Sequence, residues 1–229
     1  DGDVLQRLGS RGPVRMRLLI EAYIRDNGAS GNVIAEIRGR ERPDEIVLLA
    51  AHLDSWDHGQ GAIDDASGVA IITAAARLIR ELPRRPRRPI RVLLAGAEEN
   101  GVQGGGAYAE AHLSDHHSVA AESDFGAGRI WRFRSRFAEQ ALPYARAYQQ
   151  ALAPLGVTPG DNLAGGGADI AAIRQRAGVP VVDLSQDGLD YFDYHHTPDD
   201  TLDKIDPAAL RPNVAAWAGF ASLAAQTDG

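Results

Sequence analysis

The 229-residue chain contains no cysteine, and only one of its 24 basic residues is a lysine, Lys204. Without cysteine there is no disulfide, no thiolate metal site and no thiol nucleophile. Any transition-metal centre must therefore be built from His, Asp and Glu. A single lysine, and the absence of G-x-x-x-x-G-K, argue against Schiff-base chemistry and a P-loop. Long apolar runs are also missing. The longest, such as Ile46–Ala51 and Val69–Ala76, are far too short to span a bilayer. A formal net charge of −7 argues against a general nucleic-acid surface.

What is present is globular. At 44% hydrophobic and 24% charged residues, the chain is long enough to bury a core as one good-sized domain, 1–229. Val14–Ile24, Asn32–Arg38, Ile46–His52, Ile90–Ala97, Val119–Ser123, Ile130–Arg136 and Val179–Leu184 read as strands. Ile46–His52 is continuously apolar up to its histidine, which suits a central strand buried on both faces. In Ile130–Arg136, Trp131 and Phe133 alternate with arginines, which suits a peripheral strand with one wet face. Helices are expected at Asp65–Leu82, Gly105–His112, Ala138–Ala153, Ile170–Ala177 and Pro207–Ala225, with Asp65 or Ser67 capping the first and Asp169 the fourth. The alternation predicts an α/β fold, a three-layer α/β/α arrangement on a mostly parallel mixed sheet. Pro83–Pro89 (PRRPRRP) reads as a solvated connection.

In open α/β sheets, sites form at the carboxyl ends of strands. Here those ends deliver His52-Leu53-Asp54, Glu98-Glu99 and Asp124, while loops deliver Asp64-Asp65 and His195-His196. His52 and Asp54 lie two apart and share a face, so Asp54 could accept the imidazole N–H while the other nitrogen binds a metal. Adjacent Glu98 and Glu99 diverge, so one can ligate while the other reaches a bound water. A bare Glu-Glu pair is electrostatically costly, and a cation relieves it. Each residue alone has a bland reading: a core histidine, a solvated strand end, a helix cap. Jointly, His, Asp and Glu without thiolates suit zinc or a related divalent ion. His112, His116 and His117 read as surface residues at a helix-to-strand turn. His58 lies in a loop near the site, with no role decided.

The segments AHLDSWDHGQGAIDDASG, AGAEENGVQGGGAYAEAH, ESDFGAG and YHHTPDDTL together resemble the M28 family of metallopeptidases over roughly Asn32–Ala225. HLDSW with GQGAIDDASG is similar to its carboxypeptidase Q branch. The resemblance implies a zinc-peptidase architecture and two Zn2+ ions held by His52, Asp64, Glu99, Asp124 and His196, with Asp64 bridging. It implies Glu98 as general base, Asp54 as support for His52, His195 beside the reacting carbonyl oxygen, and often a cis Asp64–Asp65 peptide. It further implies peptide or dipeptide substrates, a secreted or periplasmic setting, and a chain that is either the distal part of a longer protein or a minimal form. Val179–Asp183, with Asp187 and Asp190 after it, offers no arginine pair for a substrate carboxylate. This tilts the reading toward aminopeptidase or dipeptidase activity. The alternatives are a mono-zinc acyl transferase resembling glutaminyl cyclase and a non-catalytic metal-binding domain. The oligomeric state is open.

Overall fold

In the computed structural model, which describes residues 2–21 and 28–227, the apolar run after Glu45 sits at the centre of the sheet, and its side chains divide by parity. Val47, Leu49 and Ala51 enter one core, while Leu48 and Ala50 enter the other, as the two-residue repeat of a strand requires. In chain order the elements are α1 (Gly2–Gly9), β1 (Val33–Ile37), β2 (Glu45–His52), a π-helical turn (Ala62–Ala66) leading into α2 (Ser67–Arg80), β3 (Ile90–Ala95), α3 (Gln103–His112), β4 (His116–Glu122), β5 (Ile130–Arg136), α4 (Leu142–Leu152), β6 (Thr158–Pro159), α5 (Ala171–Ala177), β7 (Val181–Gln186), α6 (Tyr191–Tyr194) and α7 (Pro207–Ala224).

The strands form one sheet in the order β1-β3-β2-β4-β7-β5-β6. β2 runs parallel to β3 and β4, and β4 parallel to β7, while β1 and β5 join antiparallel. Helices α2, α4 and α7 cover one face, with Trp217 and Phe220 fully buried there. Helices α3 and α5 cover the other through Tyr108, Ala109 and Ile173. The fold is the expected α/β/α arrangement. The carboxyl ends of β2, β3, β4 and β7 lie side by side, and that is where the polar segments gather.

Four sequence readings are corrected. Val14–Ile24 is not a strand over its described part: residues 14–21 have no regular structure and are exposed, with Leu18 at 76%; the remaining positions, 22–24, lie outside the described residues. The PRRPRRP stretch is solvated only in its first half. Arg88 is 2% exposed; its Nε donates to Glu45 Oε2 at 2.6 Å, and its guanidinium reaches the carbonyls of Ala224 and Thr227. It ties the end of α7 to the entry of β3. In β5, a register shift between Ile130 and Arg132 turns Trp131 outward, while Ile130 and Phe133 point inside. The bulge overrides the simple alternation.

His117 is the fourth. It is 3% exposed, with Tyr108 Oη 2.7 Å from its Nε2, whereas His116 is exposed and His112 is half-buried beside Asp115. Burial, aided by the charge of Arg91, pushes the His117 pKa down to about 4. Unfolding returns the ring to about 6.5. Between those values the unfolded chain binds the extra proton, so stability falls as the pH drops from about 6.5 to about 4, by on the order of 3 kcal/mol. His117→Gln should flatten that part of the profile, read as urea midpoints at pH 7 and pH 5.

Candidate metal centre

β2 ends on His52, which is 1% exposed. Its ring Nε2 lies 3.0 Å from Asp64 Oδ1 and 3.4 Å from Asp124 Oδ1. The other ring nitrogen, Nδ1, meets the backbone carbonyl of Asp54 at 3.0 Å, with the Asp54 carboxylate farther away at 3.7 Å. That carboxylate works elsewhere: Oδ1 and Oδ2 accept the backbone N–H groups of Glu98 (3.0 Å) and Glu99 (3.2 Å). Asp54 therefore links His52, through its backbone, to the Glu98-Glu99 turn, through its side chain. Ala97 and Val102 bracket this turn in the left-handed region, and Gly101 and Val102 N–H close back on the Glu98 carbonyl. Asp54→Ala should lower kcat/KM by about 10- to 100-fold, the usual cost of losing such a supporting contact. Metal content should be retained, and activity assays with metal analysis check both.

The Asp64–Asp65 peptide is cis and lies in the π-helical turn before α2. Both side chains are buried, but they face different partners. Asp65 Oδ2 accepts the His52 backbone N–H at 3.1 Å and Oδ1 that of Gly68 at 3.1 Å. Asp65 thus serves the first turn of α2, as expected of a cap, and also pins β2. Gly68 must be glycine, since a Cβ there would fall 1.9 Å from the Ser123 carbonyl oxygen. Asp64 turns into the cleft. Its Oδ2 lies 3.4 Å from the Nε2 atoms of both His195 and His196, and His196 Nε2 is 2.8 Å from Glu99 Oε2. His58 is exposed and at positive φ, and belongs to none of the donor groups found among the described residues.

Three groups of donor atoms lie within 4.8 Å of one another: Asp64, His195 and His196; His52, Asp65 and Asp124; and His52, Asp64 and Glu99. Among the described residues, Asp64 Oδ2, Glu99 Oε1 and Asp124 Oδ1 are buried without a hydrogen bond. Carboxylate oxygens left this way are costly unless a cation meets them. The charge balance says the same. Burial disfavours a charged His52, yet the Asp124 and Asp64 carboxylates outweigh it and push its pKa up to about 12. Burial raises Glu98 and Glu99 above the ordinary glutamate value. Asp64 is held low despite burial, because His52, His195 and His196 surround it. An excess of carboxylate with imidazole donors is the chemistry of a divalent-metal pocket.

Sequence reasoning missed two acids and misread a third. Asp200, 3% exposed, accepts the Ile63 N–H at 2.6 Å and the Asp64 N–H at 3.2 Å, joining the loop of Asp64 to the chain after His196. Its signal was present in YHHTPDDTL. Glu122 is buried on β4 and accepts the Asp169 N–H at 2.9 Å. Asp169 does not cap its helix: its carboxylate is fully buried, neither oxygen is hydrogen-bonded, and burial followed by the charge of Glu98 pushes its pKa up to about 7. Glu122 instead accepts the N–H groups of Asp169 and Ile170 just before the helix, a contact from far along the chain that the local pattern does not show.

Fold and site together define an α/β metallohydrolase domain. Residues 32–221 match the model of peptidase family M28, and the chain belongs to that family of metallopeptidases. It is 35% identical to carboxypeptidase Q of Rattus norvegicus, over the whole of this chain and 48% of that protein. Among solved structures it is similar to the peptidase M28 precursor of Shewanella amazonensis SB2B, with 55% identity and a TM-score of 0.82 over 86% of this chain and 45% of that one. It is also similar to an aminopeptidase from Aneurinibacillus sp. strain AM-1, with 27% identity and a TM-score of 0.66 over 86% of this chain and 48% of that one. The chain spans about half the length of each of these relatives. No helix among the described residues is long and apolar enough to cross a membrane.

Proposed function

We propose that this chain is the catalytic part of a two-zinc exopeptidase that acts on short peptides from their amino end, as an aminopeptidase or dipeptidase. The observation that carries this reading is the convergence of His52, Asp64, Glu99, Asp124 and His196 around carboxylate oxygens with no hydrogen bond. These five would hold the ions, with Asp64 shared between them, since its two oxygens face His52 on one side and His196 on the other. Zinc bound there supplies Lewis acidity toward the peptide carbonyl and makes water more acidic.

The remaining steps belong to the protein. Glu98 takes a proton from water as the oxygen bonds to the scissile carbonyl carbon. It then passes that proton to the leaving nitrogen as the C–N bond breaks, giving a free carboxylate and a free amine. Its raised pKa suits a base that must also act as an acid. Asp54 fixes the turn that carries it. His195, whose ring is 28% exposed at the mouth of the site, is placed to donate to the carbonyl oxygen as charge develops.

Reading of the amino end is supported by a recess of about 270 Å3 beside Asp124, lined by Glu122, Phe125, Gly166, Gly167, Asp183 and Ser185 among others, with no basic residue. Asp183 is partly occupied, since its oxygens accept the N–H groups of Gly165 and Gly166 and Arg134 lies 3.5 Å from its Oδ2 behind the recess lining. The relatives carry both aminopeptidase and carboxypeptidase names, and the acidic lining favours the former. A secreted or periplasmic setting goes with this reading. The test is metal analysis together with free and terminally blocked dipeptides and aminoacyl-p-nitroanilides. Two zinc per chain and cleavage abolished by N-acetylation are expected. Cleavage abolished by blocking only the carboxyl end would overturn the end preference, and one zinc or none would overturn the two-ion reading.

A further inference from the structure

We propose that Trp56 is the positioning residue for one of the two ions, holding His196 and Glu99 together as a ligand pair. The inference rests on the two-ion reading above. Trp56 lies in the loop after β2, 45% exposed. Its indole stacks on the His196 imidazole, with centroids 4.4 Å apart and planes 9° from parallel. The His195 ring also stacks on His196, with centroids 3.6 Å apart and planes 20° from parallel. Two rings this close and this nearly parallel cannot share one face of a third without overlapping. His196 is therefore held between them, with Trp56 on one face and His195 on the other.

The sandwich has a task. His196 has φ 61°, a left-handed conformation that a non-glycine residue keeps only when its surroundings impose it. The imidazole is only partly buried. Without the flanking rings its side-chain torsions would be free, and Nε2 would not stay 2.8 Å from Glu99 Oε2. Trp56 thus holds by its ring the imidazole that meets Glu99, and these two side chains would grip the same ion. Among the described residues no comparable ring lies on His52, which is fixed instead by the Asp54 carbonyl and by full burial. The two ions should therefore differ in how much they depend on Trp56.

The test uses metal-free wild type, Trp56→Leu and Trp56→Phe. Each is titrated with Zn2+ by equilibrium dialysis and with Co2+ by its visible absorption, and each is melted in the metal-free state. Leu keeps apolar bulk without a ring face, whereas Phe keeps the face. For Trp56→Leu, one of the two binding steps should weaken by about 10- to 100-fold, with the other step unchanged. Trp56→Phe should stay within about threefold of wild type, as a stacking partner can. The three metal-free melts should coincide. Unchanged affinities in Trp56→Leu, equal loss in Phe and Leu, or a lowered metal-free melt in Trp56→Leu would each overturn the positioning role. If wild type itself binds fewer than two equivalents, the two-ion reading falls and takes this inference with it. Two equivalents in wild type with no defect in Trp56→Leu removes the inference alone.

Discussion

Glu98→Gln should lower kcat by roughly 10^2- to 10^4-fold, the range for losing a positioned proton carrier, while leaving the zinc content at the wild-type value. Glutamine matches the shape of the side chain and keeps the backbone N–H that Asp54 accepts, but it cannot take a proton from water. The adjacent Glu99→Gln should behave differently, losing metal and activity together, because Glu99 is the residue whose oxygen meets His196. The pair of variants separates the roles of neighbours that the sequence alone writes as EE. Metal loss in Glu98→Gln with retention in Glu99→Gln would mean that the two are reversed. The pH dependence follows with its sign. A base must be ionised to work, so activity rises with pH through the Glu98 pKa. Burial raises that pKa above the ordinary glutamate value. The acid limb of kcat/KM should accordingly lie above the usual glutamate range and vanish in Glu98→Gln.

The parts of this architecture legible in sequence are those determined by near neighbours in the chain. β2 and β3 are short apolar runs that only a sheet buried on both faces can use, and α7 begins at Asp206-Pro207, a helix start readable residue by residue, with the Asp206 side chain accepting the Ala208 N–H. The acids and histidines at the strand ends are legible because chain order places them at the end of the sheet where sites form. The illegible parts depend on partners far away in sequence. Arg88 looks like its solvated neighbours Arg84 and Arg85 until Glu45 and the end of α7 are brought against it. His117 differs from His116 only because Tyr108 on α3 reaches one and not the other. Asp169 sits one residue before its expected helix, where a capping aspartate belongs, but its carboxylate is buried without a hydrogen bond and its backbone N–H donates to Glu122, far away in sequence. Residues 14–21 have the composition of a strand, but composition does not supply the neighbour a strand must pair with.

Asp64→Asn should remove at least one zinc per chain and, with it, essentially all peptidase activity. Asp64 is, among the described residues, the one carboxylate whose two oxygens face different imidazoles, Oδ1 toward His52 and Oδ2 toward His195 and His196. Asparagine is the same shape, so the backbone N–H at this position can still donate to Asp200, and the turn before α2 has no reason to rearrange. What changes is that one oxygen becomes an NH2 group, which cannot ligate, and a negative charge is lost from between three histidines. The stability readout then discriminates. A ligand that binds only the folded chain stabilises it by about 2.7 kcal/mol at a concentration one hundred times its Kd. Saturating zinc should thus raise the melting temperature of wild type and of Glu98→Gln alike, and raise that of Asp64→Asn distinctly less. If Asp64→Asn keeps two zinc ions and the full thermal shift, Asp64 does not bridge. Asp65 would then be the one to test, because it stands with His52 and Asp124 in the second donor group.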